Sequence, residues 1–254
     1  MKGLLILLLN CFLCDKAHLW SPRCFTNSFS VHFIVLIRFL KVAAVTSCEY
    51  FVPHLIGSFL DKYPAVDIYL KVDSRERIKE RYNNGSDDLY IFSQIDNDMK
   101  GDVVPLFPNN LYAIASKSHP LALKDRIEIR TLLGFSWIFR EQGSGTRRAI
   151  EKHFSQYDII INPKLVMESN EAIKHCVMSG MGLSILSEYA LIQERPENFA
   201  ILSVDTFPIK TYWSLVFPNS ARQSTLSQAF MAHLIEYKKT LKRSLKIQEN
   251  SLFL

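Results

Sequence analysis

Strand-like and helix-like segments alternate in the first half of the chain, and this alternation constrains the fold more than any other sequence feature. The segment 42–45 is short and apolar, and the segment 66–72 alternates apolar with polar residues. Both patterns predict strands. Residues 51–63 carry apolar side chains at helical spacing. A charged helix at 74–82 and a strand at 88–92 follow. The order β-α-β-α-β predicts a parallel sheet with right-handed crossovers.

A second unit of the same kind follows in the sequence. The pattern predicts strands at 103–107, 110–116, 136–139 and 165–168, a helix ending at 154, and a helix at 170–178. A crossover near His119 joins the two units. Two consecutive α/β units with a thin connection predict a two-lobed clamp.

The loop 140–148 in the second unit has the composition of an anion site. Gly143 and Gly145 flank Ser144, so the backbone can turn sharply with its amides exposed. Hydroxyls and arginines follow, directly before a predicted helix, whose N-terminus attracts negative charge. The simpler alternative is a helix-capping turn with Ser144 as the cap and the arginines in solvent.

Polar, mostly neutral side chains follow four of the predicted strands. Ligands in such sheets lie beyond the carboxyl ends of strands. One such position alone is more often a helix cap, and Thr46 with Glu49 has capping-box spacing. Four positions at one edge favour a cleft, with these candidate binding residues: Thr46, Ser47, Ser93, Gln94, Gln142, Ser144, Gly145, Thr146, Arg147, Ser169 and Asn170.

Motifs for several other functions are absent from the sequence. No dinucleotide-binding, phosphate-loop, nucleophile-elbow or paired-histidine motif occurs. We therefore expect neither an enzyme nor a bound metal or cofactor. The formal charge of +5 equals the number of basic residues clustered at 238–246, which we interpret as a solvated helix end. The five cysteines are odd in number, and Cys48 and Cys176 fit a reducing compartment, which predicts a cytoplasmic location.

Residues 1–40 differ from the rest of the chain. A basic start and the apolar run 3–9 resemble a secretory signal, although the run is too short to span a membrane. Either this segment is an export signal, or it is a degraded or wrongly assigned N-terminus.

The chain from about residue 41 to 240 resembles the effector-binding domain of LysR-type transcriptional regulators. The motifs that carry the resemblance are Val42–Ser47 with Tyr50–Pro53, Phe59–Pro64, Arg75–Arg81 with Asp87–Ile91, Ser118–Leu121, Arg140–Arg147, Ser169–Lys174 and Gly182–Ser187. Within the family, the Asp87–Ile91 and Gly143–Arg148 stretches are most similar to regulators of carbon fixation and inorganic-carbon uptake, the CbbR and CmpR branch.

The resemblance implies a periplasmic-binding-protein-like α/β fold of two Rossmann-like subdomains, with a hinge and an effector cleft between them. Subdomain I would comprise 41–118 and 207–247, and subdomain II 119–206. The effector would be a small phosphorylated or carboxylated anion, and the protein a homodimer or homotetramer.

DNA is the family's further partner, bound through an N-terminal helix-turn-helix. Residues 1–40 show neither a recognition helix nor heptads, so we do not expect this chain alone to bind DNA. The alternative function is an exported periplasmic solute-binding protein of similar fold, which the hydrophobic N-terminus favours.

Overall fold

The computed structural model describes residues 39–237 except 97, 100, 193–197 and 219–223. The expectations for 1–38 and for the basic cluster at 238–246 lie outside the described residues. The first strand already begins at Phe39, two residues before the start predicted for the domain.

The first half of the fold is the predicted parallel β-α-β-α-β unit. Its elements are β1 (Phe39–Val45), α1 (Val52–Lys62), β2 (Asp67–Asp73), α2 (Arg75–Asn83) and β3 (Leu89–Phe92). β1 pairs in parallel with both β2 and β3 and therefore lies between them. Buried Phe59 of α1 fills the space beside this sheet, and its spacing from Leu55 follows the predicted helical period.

Two long antiparallel strands, β4 (Gly101–Ser116) and β9 (Ile209–Pro218), run along each other. The prediction of separate strands at 103–107 and 110–116 is wrong, because β4 continues through both. The pairing is irregular between Pro105 and Pro108, which cannot donate to the ladder. β9 lies between β3 and β4, so the sheet order is β2-β1-β3-β9-β4-β7, and β8 also pairs with β4.

The second half holds the remaining elements. They are β5 (Ile138–Arg140), α3 (Gly145–Ser155), β6 (Leu165–Met167), α4 (Asn170–Met178), β7 (Ser184–Ser187), α5 (Glu188–Leu191) and β8 (Phe199–Ile201). β5 and β6 form a separate parallel pair, whereas β7 and β8 pair antiparallel with β4. A last helix, α6, covers 225–237 and returns to the first half, where Phe230 packs edge-on against Phe59 at 5.0 Å between ring centroids.

One apolar core joins the outer part of β4 to the second half. Leu111 and Ala113 pack there with Trp137, Phe139 and Phe154. Trp137 meets Phe139 and Phe154 edge-on, at 5.5 and 5.9 Å between centroids. This core holds β5 and α3 in place and so positions the loop between them.

Helix starts in the structure differ in how they are capped. Ser74 and Ser169 cap their helices by accepting hydrogen bonds from the backbone N–H groups of Arg77 and Ala172. The capping box at Thr46 is wrong, because residues 46–48 form a 3-10 turn without a side-chain cap. The following helix begins at Val52 after the uncapped Phe51, with a proline in its first turn.

Candidate functional site

The predicted polar residues follow parallel strands of two separate sheets, rather than lying at the one edge that the sequence predicted. Ala44 of β1 pairs with Ile91 of β3, so Thr46 and Ser93 each follow this pair by two residues. In the second half, Arg140 of β5 pairs with Met167 of β6, and the loops before α3 and α4 begin there. The sheet geometry therefore gathers the candidates at two edges.

Ser93 and Gly145 bring these two edges into contact. A Cβ atom placed on Gly145 would overlap the Oγ of Ser93, so the first residue of α3 lies directly against the end of β3. Ser93 is 5% exposed, and its Oγ has no hydrogen-bond partner within the described part of the chain. Burying a hydroxyl without a hydrogen-bond partner costs free energy.

Arg75, which the sequence did not single out, lies at the start of α2 and is 4% exposed. Its guanidinium covers the Phe92 ring at 5.3 Å, and Nη2 lies 3.0 Å from the Asp96 Oδ1 atom. Within the described residues Nη1 has no hydrogen-bond acceptor, and Nη2 has only this ion-pair contact with Asp96. Burial lowers the pKa of Arg75, while Asp96 opposes this shift. The guanidinium stays charged, as arginine does in proteins.

Asp96 forms ion pairs with three cationic side chains that come from two helices. Besides Arg75, it binds Lys79 of α2 at 2.9 Å and Arg148 of α3. Partial burial works against ionisation of Asp96, but the hydrogen bonds from Lys79 and Arg148 outweigh it and lower the pKa to about 2. Since Asp96 follows β3 and Arg148 lies on α3, this carboxylate ties the two edges together. We call Arg75, Ser93, Asp96, Gly145 and Arg148 the Ser93 cluster.

A second polar group spans the same two edges, and we call Tyr50, Arg140, Asn170, Glu171 and Lys174 the Tyr50 cluster. The Tyr50 hydroxyl donates to Glu171 Oε1 at 2.7 Å. Lys174 Nζ lies 2.9 Å from the same oxygen, 5.7 Å from the centre of the Tyr50 ring, and donates to the Ala190 carbonyl. Tyr50 comes from the first half and the others from the second.

Arg140 in the Tyr50 cluster uses each of its guanidinium nitrogens. Nε and Nη2 donate to the two carboxylate oxygens of Glu141 at 2.7 and 2.9 Å, and Nη1 donates to Asn170 Oδ1 at 2.8 Å. Burial raises the pKa of Tyr50 far above its usual range, and Glu171 adds to this. Burial also raises the pKa of the neighbouring Glu49. The Tyr50 cluster is thus densely paired.

The other predicted residues take different positions in the structure. Ser144 occupies the N-cap position of α3 without capping through its side chain, and Thr146 is buried beside it. Arg147 bonds Glu151 at 2.7 Å and donates to the Arg140 carbonyl, so contacts within the protein already engage it. Gln142 and Ser169 are exposed, and Ser47, Ser93, Gly145 and Asn170 are buried.

Arg75, Asp96 and Arg148 are the residues of this region that sequence reasoning missed. A basic residue at the first position of α2 is one available signal, since helix starts favour acidic side chains. The burial of that arginine depends on Phe92 and on α3, which are distant in sequence.

A model of the LysR substrate binding domain matches residues 38–239. The chain belongs to this family. It is 37% identical over 199 residues to the HTH-type transcriptional activator CmpR of Synechocystis sp.. The aligned region covers 78% of this chain and 66% of CmpR. It is also 37% identical over 196 residues to a RuBisCO operon transcriptional regulator of Acidithiobacillus ferrooxidans. The aligned region covers 77% of this chain and 63% of that regulator.

Among solved structures, the CcmR regulatory domain of Synechocystis in complex with 2-PG is similar, with 38% identity and a TM-score of 0.75. The match covers 79% of this chain and 97% of that domain. The periplasmic-binding-protein-like α/β fold and the effector-binding domain are thereby confirmed. These relatives are transcriptional regulators rather than enzymes, and they favour the regulator over the exported solute-binding protein.

The chain spans about two thirds of the length of the curated relatives it matches. Within the described ranges of 39–237, no helix is long and apolar enough to cross a membrane. The same ranges contain no grouping of three or more histidine, cysteine, aspartate or glutamate residues suited to hold a metal ion.

Proposed function

We propose that this chain senses a small anionic metabolite, phosphorylated or carboxylated, for a transcriptional regulator of the carbon-fixation branch. The anion binds where the carboxyl end of β3 meets the N-terminus of α3. Binding there joins the two halves of the fold and so reports the metabolite to the rest of the regulator.

The unpaired Oγ of buried Ser93 against Gly145 is the observation that carries this proposal. α3 has 11 residues, and its N-terminus offers free backbone N–H groups and the positive end of the helix dipole. A buried hydroxyl and a helix start that face each other suit an oxyanion. The 2-PG complex of the CcmR domain supports a ligand of this class.

We further propose that the two halves are the two subdomains and that the hinge lies where β4 and β9 cross between them. The division at 118 and 207 remains a prediction. The core supports a division nearer the irregular pairing at Pro105 and Pro108, because Leu111 and Ile209 pack with the second half. A bend at this position would open the two edges without breaking either core.

The remaining parts of the proposal concern the whole regulator. The sequence similarity to CmpR and to the RuBisCO operon regulator supports a homodimer or homotetramer in the cytoplasm that acts on DNA. The DNA contact itself is proposed for a regulator that includes a helix-turn-helix, not for the described residues.

Titration calorimetry of the full chain with phosphoglycolate and ribulose bisphosphate tests the proposed site. We expect Ser93→Ala to weaken binding by about tenfold or more, the loss of a hydrogen bond to a charged group. Ser155→Ala, at the opposite end of α3, is the matched control and should bind like wild type. The proposal is wrong if the folded wild type binds neither anion, or if Ser93→Ala binds as tightly as wild type.

A further inference from the structure

The burial and position of Arg75 bear on which metabolites the site accepts. Resting on the anion site proposed above, we propose that Arg75 selects a phosphoryl group on the metabolite and that Asp96 is the residue that positions Arg75. Neither residue belongs to the strand-end set predicted from the sequence.

The first argument is the unused hydrogen-bonding capacity of Arg75. A guanidinium has five N–H donors, and removing its charge from water is costly unless acceptors replace the lost water. Arg75 is 4% exposed, yet Nη1 has no hydrogen-bond partner among the described residues. Asp96 lies 3.0 Å from Nη2, so it engages one terminal nitrogen and leaves the other without an acceptor in that part of the chain. The missing acceptors fit the oxygens of a bound anion.

The second argument is the position of Arg75 relative to α3. A Cβ atom on Gly143 would overlap the Glu76 carboxylate, so the first turn of α2 touches the loop that leads into α3. Gly143 has φ 89°, a conformation that favours glycine and permits this approach. Two helix starts therefore meet at the Ser93 cluster, and Arg75 lies on one of them.

The third argument is the number and kind of donors. The Arg75 guanidinium, the Ser93 hydroxyl and the backbone N–H groups at the start of α3 are three separate kinds of donor in the Ser93 cluster, which Asp96 and Gly145 link together. A phosphoryl group presents three terminal oxygens, whereas a carboxylate presents two, and arginine matches phosphate geometry with a two-pronged contact. Three donor sources suit the phosphoryl group better.

Asp96 has the geometry of a positioning residue. It shares its carboxylate among Arg75, Lys79 and Arg148, and Asp98 provides Lys79 with a second partner at 3.1 Å. Arg75 and Arg148 therefore share one carboxylate, while Glu76 faces Gly143 nearby. This arrangement holds the guanidinium in place.

The test compares two ligands and two arginines on the full chain. Phosphoglycolate and succinate are similar in length, but only the first carries a phosphoryl group. We expect wild type to prefer phosphoglycolate by about tenfold or more and Arg75→Gln to reduce this preference to about threefold or less. Arg77→Gln removes the same charge from an exposed position on the same helix and should keep the wild-type preference.

Arg75→Lys guards against a folding defect, which circular dichroism would detect in Arg75→Gln. Lysine keeps the charge beside Asp96 but lacks the fork, so the preference should still fall severalfold. An unchanged preference in the folded variants, or an equal loss for both ligands, overturns the selection by Arg75. A wild type that binds neither ligand contradicts the proposed function instead, and a wild type that prefers succinate contradicts the phosphoryl assignment.

Discussion

The Ser93 cluster and the Tyr50 cluster both join the two halves of the fold, but they differ in how their buried polar groups are paired. Arg140 in the Tyr50 cluster places each guanidinium nitrogen within 2.9 Å of an oxygen. Arg75 in the Ser93 cluster is equally buried, yet among the described residues its Nη1 atom and the Ser93 hydroxyl have no hydrogen-bond partner, and its Nη2 atom has only the ion pair with Asp96 at 3.0 Å. The difference teaches that buried charge alone does not mark a binding site; the unused hydrogen-bonding capacity does.

This comparison assigns different roles to the two clusters. We expect changes in the Tyr50 cluster to alter the free energy of unfolding and to leave the choice of ligand intact. Changes in the Ser93 cluster should alter both, since its groups hold each other and also face the ligand.

Asp96→Asn should have the largest effect, because it removes the carboxylate that three cations share. With a pKa of about 2, the carboxylate is ionised at neutral pH. We expect the free energy of unfolding to fall by about 3 kcal/mol, as when one partner of a buried ion pair is removed. Urea unfolding at pH 7 measures this.

Asp98→Asn is the matched control for that experiment. Asp98 pairs with Lys79 from an exposed position, so its loss should cost less than about 0.5 kcal/mol. Equal stability losses in the two variants would contradict the central position given to Asp96.

Gly145→Ala should have the second-largest effect, because the added methyl group needs space at the contact between the two edges. The added methyl overlaps the Ser93 Oγ, so the hydroxyl must turn away or the edges must separate. We expect phosphoglycolate to bind about tenfold more weakly or worse, by calorimetry, a loss of about 1.4 kcal/mol. Gly57→Ala is the control, since a Cβ there meets nothing within 4 Å and α1 tolerates alanine. Wild-type affinity in Gly145→Ala would place the ligand elsewhere.

The edges of this site could be predicted from the sequence because parallel strands end at one side of a sheet. Ser93 and Gly145 were found in this way, without knowledge of their contact. The prediction chose Arg147 and left out Arg148, its neighbour in the loop. Helix geometry turns Arg147 towards Glu151 and Arg148 towards Asp96, and both partners are known only from the packed structure.

The central strands show a similar limit. The sequence predicted two strands at 103–107 and 110–116, and proline at Pro105 and Pro108 does remove ladder hydrogen bonds. β4 nevertheless continues, because β9 runs beside it on both sides of the irregularity. Local rules therefore predicted the elements of each half but not the long strands that connect them, which depend on pairing with residues about 100 positions away.

Tyr50→Phe tests the Tyr50 cluster by removing one hydrogen bond between the halves. The lost bond to Glu171 is 2.7 Å long, but Glu171 keeps Lys174 as a partner. We expect a loss of about 1 kcal/mol in the free energy of unfolding and an unchanged preference for phosphoglycolate over succinate. Tyr212→Phe, on an exposed tyrosine, should change neither quantity. A collapse of the preference in Tyr50→Phe would show that the Tyr50 cluster also selects the ligand.

Glu49→Gln should have the smallest effect, and its sign depends on pH. Burial raises the pKa of Glu49 in the folded protein, so the charged carboxylate destabilises the fold above that pKa. Glutamine removes the charge and should raise the melting temperature at pH 7 by about 1 °C, a small gain because solvent screens the group. The gain should disappear as the pH falls through the raised pKa, where wild-type Glu49 becomes neutral as well. Thermal unfolding at pH 7 and in mild acid, with exposed Glu80→Gln as the control, measures the difference. A gain that persists in acid would show that Glu49 acts through packing rather than charge.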